Sequence, residues 1–121
     1  MLSFWLEVIM DFEFPRGDTK RFKFQLKDSE GNILVLTGSD QIYFTVKDNS
    51  RSSTALIQKK IGSGIVYSDG YYYVTINPSD TNSLDYRTYG YDIELKSDGV
   101  VKTLIIGELT LTDEYTFASN E

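Results

Sequence analysis

A chain of 121 residues has room for one domain with its own core, and without a single cysteine or histidine it offers no disulfide staples, no thiolate chemistry and no Cys/His zinc site. A formal net charge of -6 argues against a general binder of nucleic acid or of anionic membranes, both of which need an excess of Lys and Arg. Nine Tyr, seven Phe and one Trp bring aromatics to 14%, a composition that favours strands.

The first ten residues, Met1 to Met10, are apolar, with Phe4, Trp5, Leu6, Val8 and Ile9 among them. They lack a basic leading region and a small-residue cleavage site, so no signal peptide is expected, and they fall short of the about 20 apolar residues that span a membrane. Two readings stay open: translation that starts at Met10, or an apolar tail that docks on a partner. The predicted domain covers residues 11–117, with 118–121 as a short polar tail.

Arg16-Gly17-Asp18 spells an integrin-type tripeptide, but three residues carry almost no specificity, and a bend before the next strand needs a glycine anyway. Phe22, Phe24 and Leu26 then alternate with Arg21, Lys23, Gln25 and Lys27, which predicts a half-buried strand with a cationic outer face. Ile42, Phe44 and Val46 repeat the period of two. So do Tyr72, Val74 and Ile76 against Tyr71, Tyr73 and Thr75, and Tyr89, Tyr91, Ile93 and Leu95 against Gly90, Asp92, Glu94 and Lys96. Near the end, Leu104 and Ile106 sit on even positions but Leu109 and Leu111 on odd ones, which predicts a β-bulge or bend at Gly107.

Asp28-Ser29-Glu30-Gly31-Asn32, Ser68-Asp69-Gly70 and Ser97-Asp98-Gly99 read as hairpin turns. Asn77-Pro78-Ser79-Asp80 is the only helical signal, one or two turns near residues 78–83. About seven short strands at this spacing predict an all-β, antiparallel β-sandwich of Greek-key type.

Catalysis has little to draw on, because the usual base for a serine nucleophile and the usual thiol are both missing. Asp92 and Glu94 share a strand face roughly 7 Å apart by strand rise. A carboxylate-pair hydrolase could use such a pair, but a solvated outer face explains it more simply. Asp28, Glu30 and Asn32 offer oxygen ligands for calcium without the full loop pattern, and a plain turn accounts for them as well. No cofactor is expected.

Binding residues are better represented. Arg21, Lys23 and Lys27 form a basic stripe on an acidic protein, read either as protection against edge-to-edge pairing or as a dock for an acidic partner. Tyr43, Tyr71 and Tyr73 fall outside the apolar rows, where exposed rings stack on sugars or pack in protein interfaces, and cross-strand packing explains them equally. Tyr89 or Tyr91, after the turn at Leu84, fits a tyrosine corner, whose hydroxyl bonds back to the backbone where the chain crosses between sheets.

Taken together, Arg16-Gly17-Asp18-Thr19, the Phe22, Phe24, Leu26 row, Lys27-Asp28 with Gly31-Asn32, Leu36-Thr37-Gly38 and Ile42-Tyr43-Phe44-Thr45-Val46-Lys47 resemble the amino-terminal domain of phage and prophage upper baseplate proteins. Ile76-Asn77-Pro78 with Asp80-Thr81, Tyr89-Gly90-Tyr91-Asp92-Ile93-Glu94-Leu95, Asp98-Gly99, and Thr103-Leu104 leading to Gly107 are similar to its closing half in the same order, so the resemblance covers Asp11 to about Thr116. It implies an immunoglobulin-like sandwich that assembles with itself or with other tail proteins in the virion tail, after expression in the bacterial cytoplasm. It carries no catalytic residues over. In ending at Glu121 the chain departs from longer relatives whose carboxy-terminal part presents receptor-binding proteins, so an adaptor role is expected. The alternative is a module that binds carbohydrate or adheres to cell surfaces, with Tyr43, Tyr71 and Tyr73 as its stacking platform.

Overall fold

The computed structural model describes residues 11–113; the readings of the 1–10 prefix, of residues 114–117 and of the 118–121 tail lie outside the described residues. Eight strands follow in chain order: β1 (Phe12–Pro15), β2 (Lys20–Phe24), β3 (Gln41–Lys47), β4 (Ile57–Ile61), β5 (Gly64–Ser68), β6 (Tyr71–Ile76), β7 (Thr88–Ser97) and β8 (Val100–Thr112). A helical turn, α1 (Pro78–Thr81), sits between β6 and β7. The protein is thus nearly all β, as its alternation predicts.

All eight strands belong to one hydrogen-bonded sheet of order β1-β8-β7-β3-β4-β5-β6-β2, which curls nearly into a barrel. At the two ends of that order β1 pairs parallel to β8, and β2 pairs antiparallel to β6. Side chains draw the ends together, with the Phe12 and Phe22 ring centroids 4.5 Å apart. Phe12 and Phe44 each also pack on Tyr91, at 5.2 and 5.4 Å. Such aromatic pairs are worth about 0.5–1.5 kcal/mol each beyond the area they bury.

The period-two rows become the core. Phe24, Leu26, Ile42, Phe44, Val46, Tyr72, Val74, Ile76 and Ile93 are all fully buried, together with Leu109 and Leu111 near the end of β8. Phe22 is only partly buried because it stands at the seam between the sheet ends. β4 and β5 were not anticipated in the sequence, since Ile57 and Ile65 are their only buried apolar residues and β4 turns Lys59 toward the core side. Lys59 escapes solvation loss by reaching Asp80 of α1, 2.8 Å away. Asp80 also accepts the Asn77 backbone N–H at 2.7 Å, so one carboxylate both starts the helical turn and anchors β4. The turn itself ends at Thr81, two residues short of the predicted span.

All three predicted turns reverse the chain as expected, the Asp28 loop closing on an antiparallel bridge between Lys27 and Ile33. Asp69 and Gly70 have φ of 50° and 90°, Asp98 and Gly99 of 51° and 78°, and paired left-handed residues match the twist of the flanking strands. In the Asp28 loop the carboxylate accepts the N–H groups of Glu30 and Asn32 at 2.9 and 3.0 Å. The hydrogen bond from Asn32 is the leading cause that holds the Asp28 carboxyl below its ordinary range.

The bulge does not fall at Gly107. Ile93 pairs with Ile105 and Glu94 with Thr103, so Leu104 is the extra residue in β8. Leu104 and Ile105 therefore both turn inward, while Ile106, expected inside, is among the most exposed side chains. Between β4 and β5 the chain bends sharply at Gly62 and Gly64, both at positive φ, and a two-pair parallel bridge there keeps the sheet continuous where two separate layers were expected.

Tyrosine hydroxyls tie the connections down. Tyr89 donates to the Asp85 carbonyl at 2.9 Å, the bond expected of a tyrosine corner. The Tyr72 hydroxyl accepts the Leu36 N–H at 2.8 Å and donates to the Leu34 carbonyl at 3.4 Å, fixing the long segment between β2 and β3.

Candidate interaction surface

Because neighbouring strands are in register, the outward side chains form rows across the sheet. On the β4-β3-β7-β8 side one row runs Gln58, Thr45, Asp92, Ile106 and the next runs Lys60, Tyr43, Glu94, Thr103. Asp92 and Glu94 do share this outer face. Tyr43, Thr45, Asp92 and Glu94 line a shallow hollow of about 520 Å³, with Ser53 and Ala55 of the β3–β4 loop at its rim. Burial raises the Asp92 carboxyl, the neighbouring Glu94 raises it further, and Lys47 partly offsets both.

The Leu104 bulge reshapes this face. Val101 pairs with Lys96 and points outward, and after one extra residue Ile106 also points outward opposite Asp92. Val101 is 53% and Ile106 69% exposed, so a Val and an Ile stand on a face that alternation alone would make polar. The parity mismatch between Leu104 and Leu109 was the available signal for this. It required placing the slip before Ile106 and not after it.

The other outer face lies on β5-β6-β2. Lys23 and Val66 both pair with Tyr73, Arg21 with Thr75, and Ser68 with Tyr71. The Tyr71 and Tyr73 rings lie 6.5 Å apart, and the Lys23 ammonium sits 4.3 Å from the Tyr71 ring centroid. A hollow of about 430 Å³ opens between Arg21, Tyr73 and Thr75 on one side and Val66 and Ser68 on the other.

The structure thus splits the expected tyrosine set. Tyr71 and Tyr73 stand together, but Tyr43 is on β3, three strands away in the sheet order, or roughly 14 Å at normal strand spacing. The basic stripe is also shorter than its sequence suggests. Arg21 and Lys23 are exposed on β2, but the alternation breaks after Phe24: Gln25 is buried and donates to the Gly70 carbonyl at 3.1 Å. Lys27 lies beyond β2, in an isolated bridge with Ile33 at the base of the Asp28 loop.

The integrin-type tripeptide is taken up by the architecture. Arg16 donates to the Leu84 carbonyl at 3.0 Å and to the Tyr86 hydroxyl at 2.9 Å, with its guanidinium 4.2 Å from the Tyr86 ring centroid. Gly17, at φ 85°, donates its N–H to the Thr81 hydroxyl. These bonds fasten the end of β1 to the connection between α1 and β7. Compared with known proteins, the chain matches no family model and no curated protein.

Proposed function

We propose that this chain is an immunoglobulin-like β-sandwich domain serving as a non-catalytic assembly module of a phage or prophage tail baseplate, where its outer sheet faces make protein-protein contacts. The observation that carries the contact role is that Val101, which lines the same hollow as Tyr43, and Ile106, opposite Asp92 on the same outer face, both point into solvent. Apolar side chains on one outer sheet face, with an aromatic beside Val101, are typical of protein interfaces.

Strand order supports the finer fold. The stretch β5-β6-β2 has the neighbour order D-E-B of one immunoglobulin sheet, and β8-β7-β3-β4 has the order G-F-C-C′ of the other, with the Gly62–Gly64 corner as their junction. Tyr89, near the start of β7, occupies the place of the tyrosine corner in that scheme. Placement in a virion tail rests on the sequence resemblance, which runs through both halves of the domain.

The test is co-expression with the products of the genes that flank its own, followed by light scattering. A complex of defined stoichiometry that Ile106→Asp dissolves, at unchanged melting temperature, is the expected result. A strict monomer that joins none of those products refutes the proposal.

A further inference from the structure

The outer face of β5-β6-β2 combines three features that the assembly role does not use. The first is a shelf: Tyr73 and Val66 are register partners, and Val66 is 61% exposed. The second is a pair of hydroxyls, Ser68 and Thr75, on either side of that shelf in the same hollow. The third is uncompensated positive charge in a protein of net charge -6. Among the described residues no carboxylate forms an ion pair with Arg21 or Lys23. Lys23 instead lies on Tyr71, and Tyr73 is the ring that lines the hollow.

We infer that this hollow is a binding site for an acidic saccharide, a pyranose that carries a carboxylate. The apolar C–H face of the ring rests on Tyr73 and Val66, its hydroxyls meet Ser68 and Thr75, and its carboxylate takes the planar fork of Arg21, with Lys23 adding positive potential. An acidic peptide fits the same charges less well. A peptide needs partners for its own amides, and at the hollow the backbone groups of β6 are already engaged with β2 and β5 on both sides, which leaves a peptide only the outer edge of β2, away from the Tyr73–Val66 shelf. The site stands independently of the assembly role, because it lies on the opposite half of the sheet order from Val101 and Ile106.

The experiment titrates the full chain, by NMR and calorimetry, with a galacturonate hexamer, a hyaluronan hexasaccharide and a sialic acid trimer, using maltohexaose and hexaglutamate as controls. At least one acidic saccharide binds, with shifts centred on Tyr73 and Val66. Tyr73→Ala weakens it by about tenfold or more, Tyr73→Phe keeps it, Arg21→Gln erases the preference over maltohexaose, and Tyr43→Ala has no effect. Val66→Glu, an exposed change that leaves the core untouched, blocks the shelf and sets its own carboxylate against Arg21, and gives the same loss should Tyr73→Ala fold poorly. The inference is overturned if none of the three acidic saccharides binds, if hexaglutamate binds as tightly, or if binding survives Val66→Glu and Tyr73→Ala.

Discussion

Replacing Tyr72 by Phe removes one oxygen and leaves the fully buried ring in place. That oxygen accepts the Leu36 N–H at 2.8 Å and donates to the Leu34 carbonyl at 3.4 Å, so its loss strands an amide in a half-buried segment whose leucines pack on the core. A hydrogen bond is worth about 0.5–1.5 kcal/mol net, and a stranded buried donor costs about 1–3 kcal/mol, which places Tyr72→Phe near 2 kcal/mol. Tyr89→Phe is the matched control. Its hydroxyl only donates, to Asp85, and the carbonyl it leaves behind can take water, so about 0.5–1 kcal/mol is expected. In melting temperature these figures correspond to losses of roughly 5–10 °C and 2–5 °C. Urea unfolding of both variants, with slopes that match the parent, gives the comparison directly. The reasoning fails if Tyr72→Phe is as stable as the parent, or if Tyr89→Phe costs more than Tyr72→Phe.

Asp92→Asn raises the melting temperature at neutral pH, because burial and Glu94 raise the Asp92 carboxyl above its ordinary 3.8 and the folded state carries an ionised group it disfavours. The gain shrinks as pH falls from the raised folded-state value toward 3.8 and is gone below it, where the parent carboxyl is protonated both folded and unfolded; a pH series of melts reads it. Tyr91, pushed up to about 12 from 10.0 by burial and by Asp11, holds its proton more tightly folded than unfolded, so its contribution is whole below pH 10.0 and is lost as pH climbs toward 12. Alkaline unfolding of Tyr91→Phe, followed by circular dichroism, therefore shows a weaker pH dependence than the parent. Gly64→Ala forces a side chain onto φ 101° and against Lys59, and costs at least about 1–3 kcal/mol by chemical unfolding.

What alternation could convey was the core. The rows from Ile42 to Val46, Tyr72 to Ile76 and Tyr89 to Leu95 are buried as read, because each is long enough for a period of two to stand clear of its neighbours. β4 was illegible for a physical reason: its inward position at Lys59 is made tolerable by Asp80, a partner 21 residues away in sequence that no local pattern reveals. Gln25 was misplaced for a similar reason, since its burial depends on the Gly70 carbonyl of a distant hairpin. Of the candidate surface, the outward direction of Tyr71 and Tyr73 was readable, but their separation from Tyr43 depends on strand order, and strand order is a long-range property. The Leu104 bulge shows how one residue of uncertainty in a slip reverses which apolar side chains meet water.

The parallel pairing of β1 with β8 sets the mechanical character of the domain. Phe12 lies beside Leu109 and Pro15 beside Thr112, so the described chain enters at Asp11, beside Glu108, and β1 and the last four residues of β8 run in the same direction. A pull applied along the chain draws the two strands past each other lengthwise. Every hydrogen bond between them, with the Arg16 N–H to Thr112 carbonyl and the Glu108 N–H to Asp11 carboxylate contacts at the two ends, then bears load together, where an antiparallel pair pulled from one end would open bond by bond. Shear of this kind gives a domain that transmits force along its length before it yields.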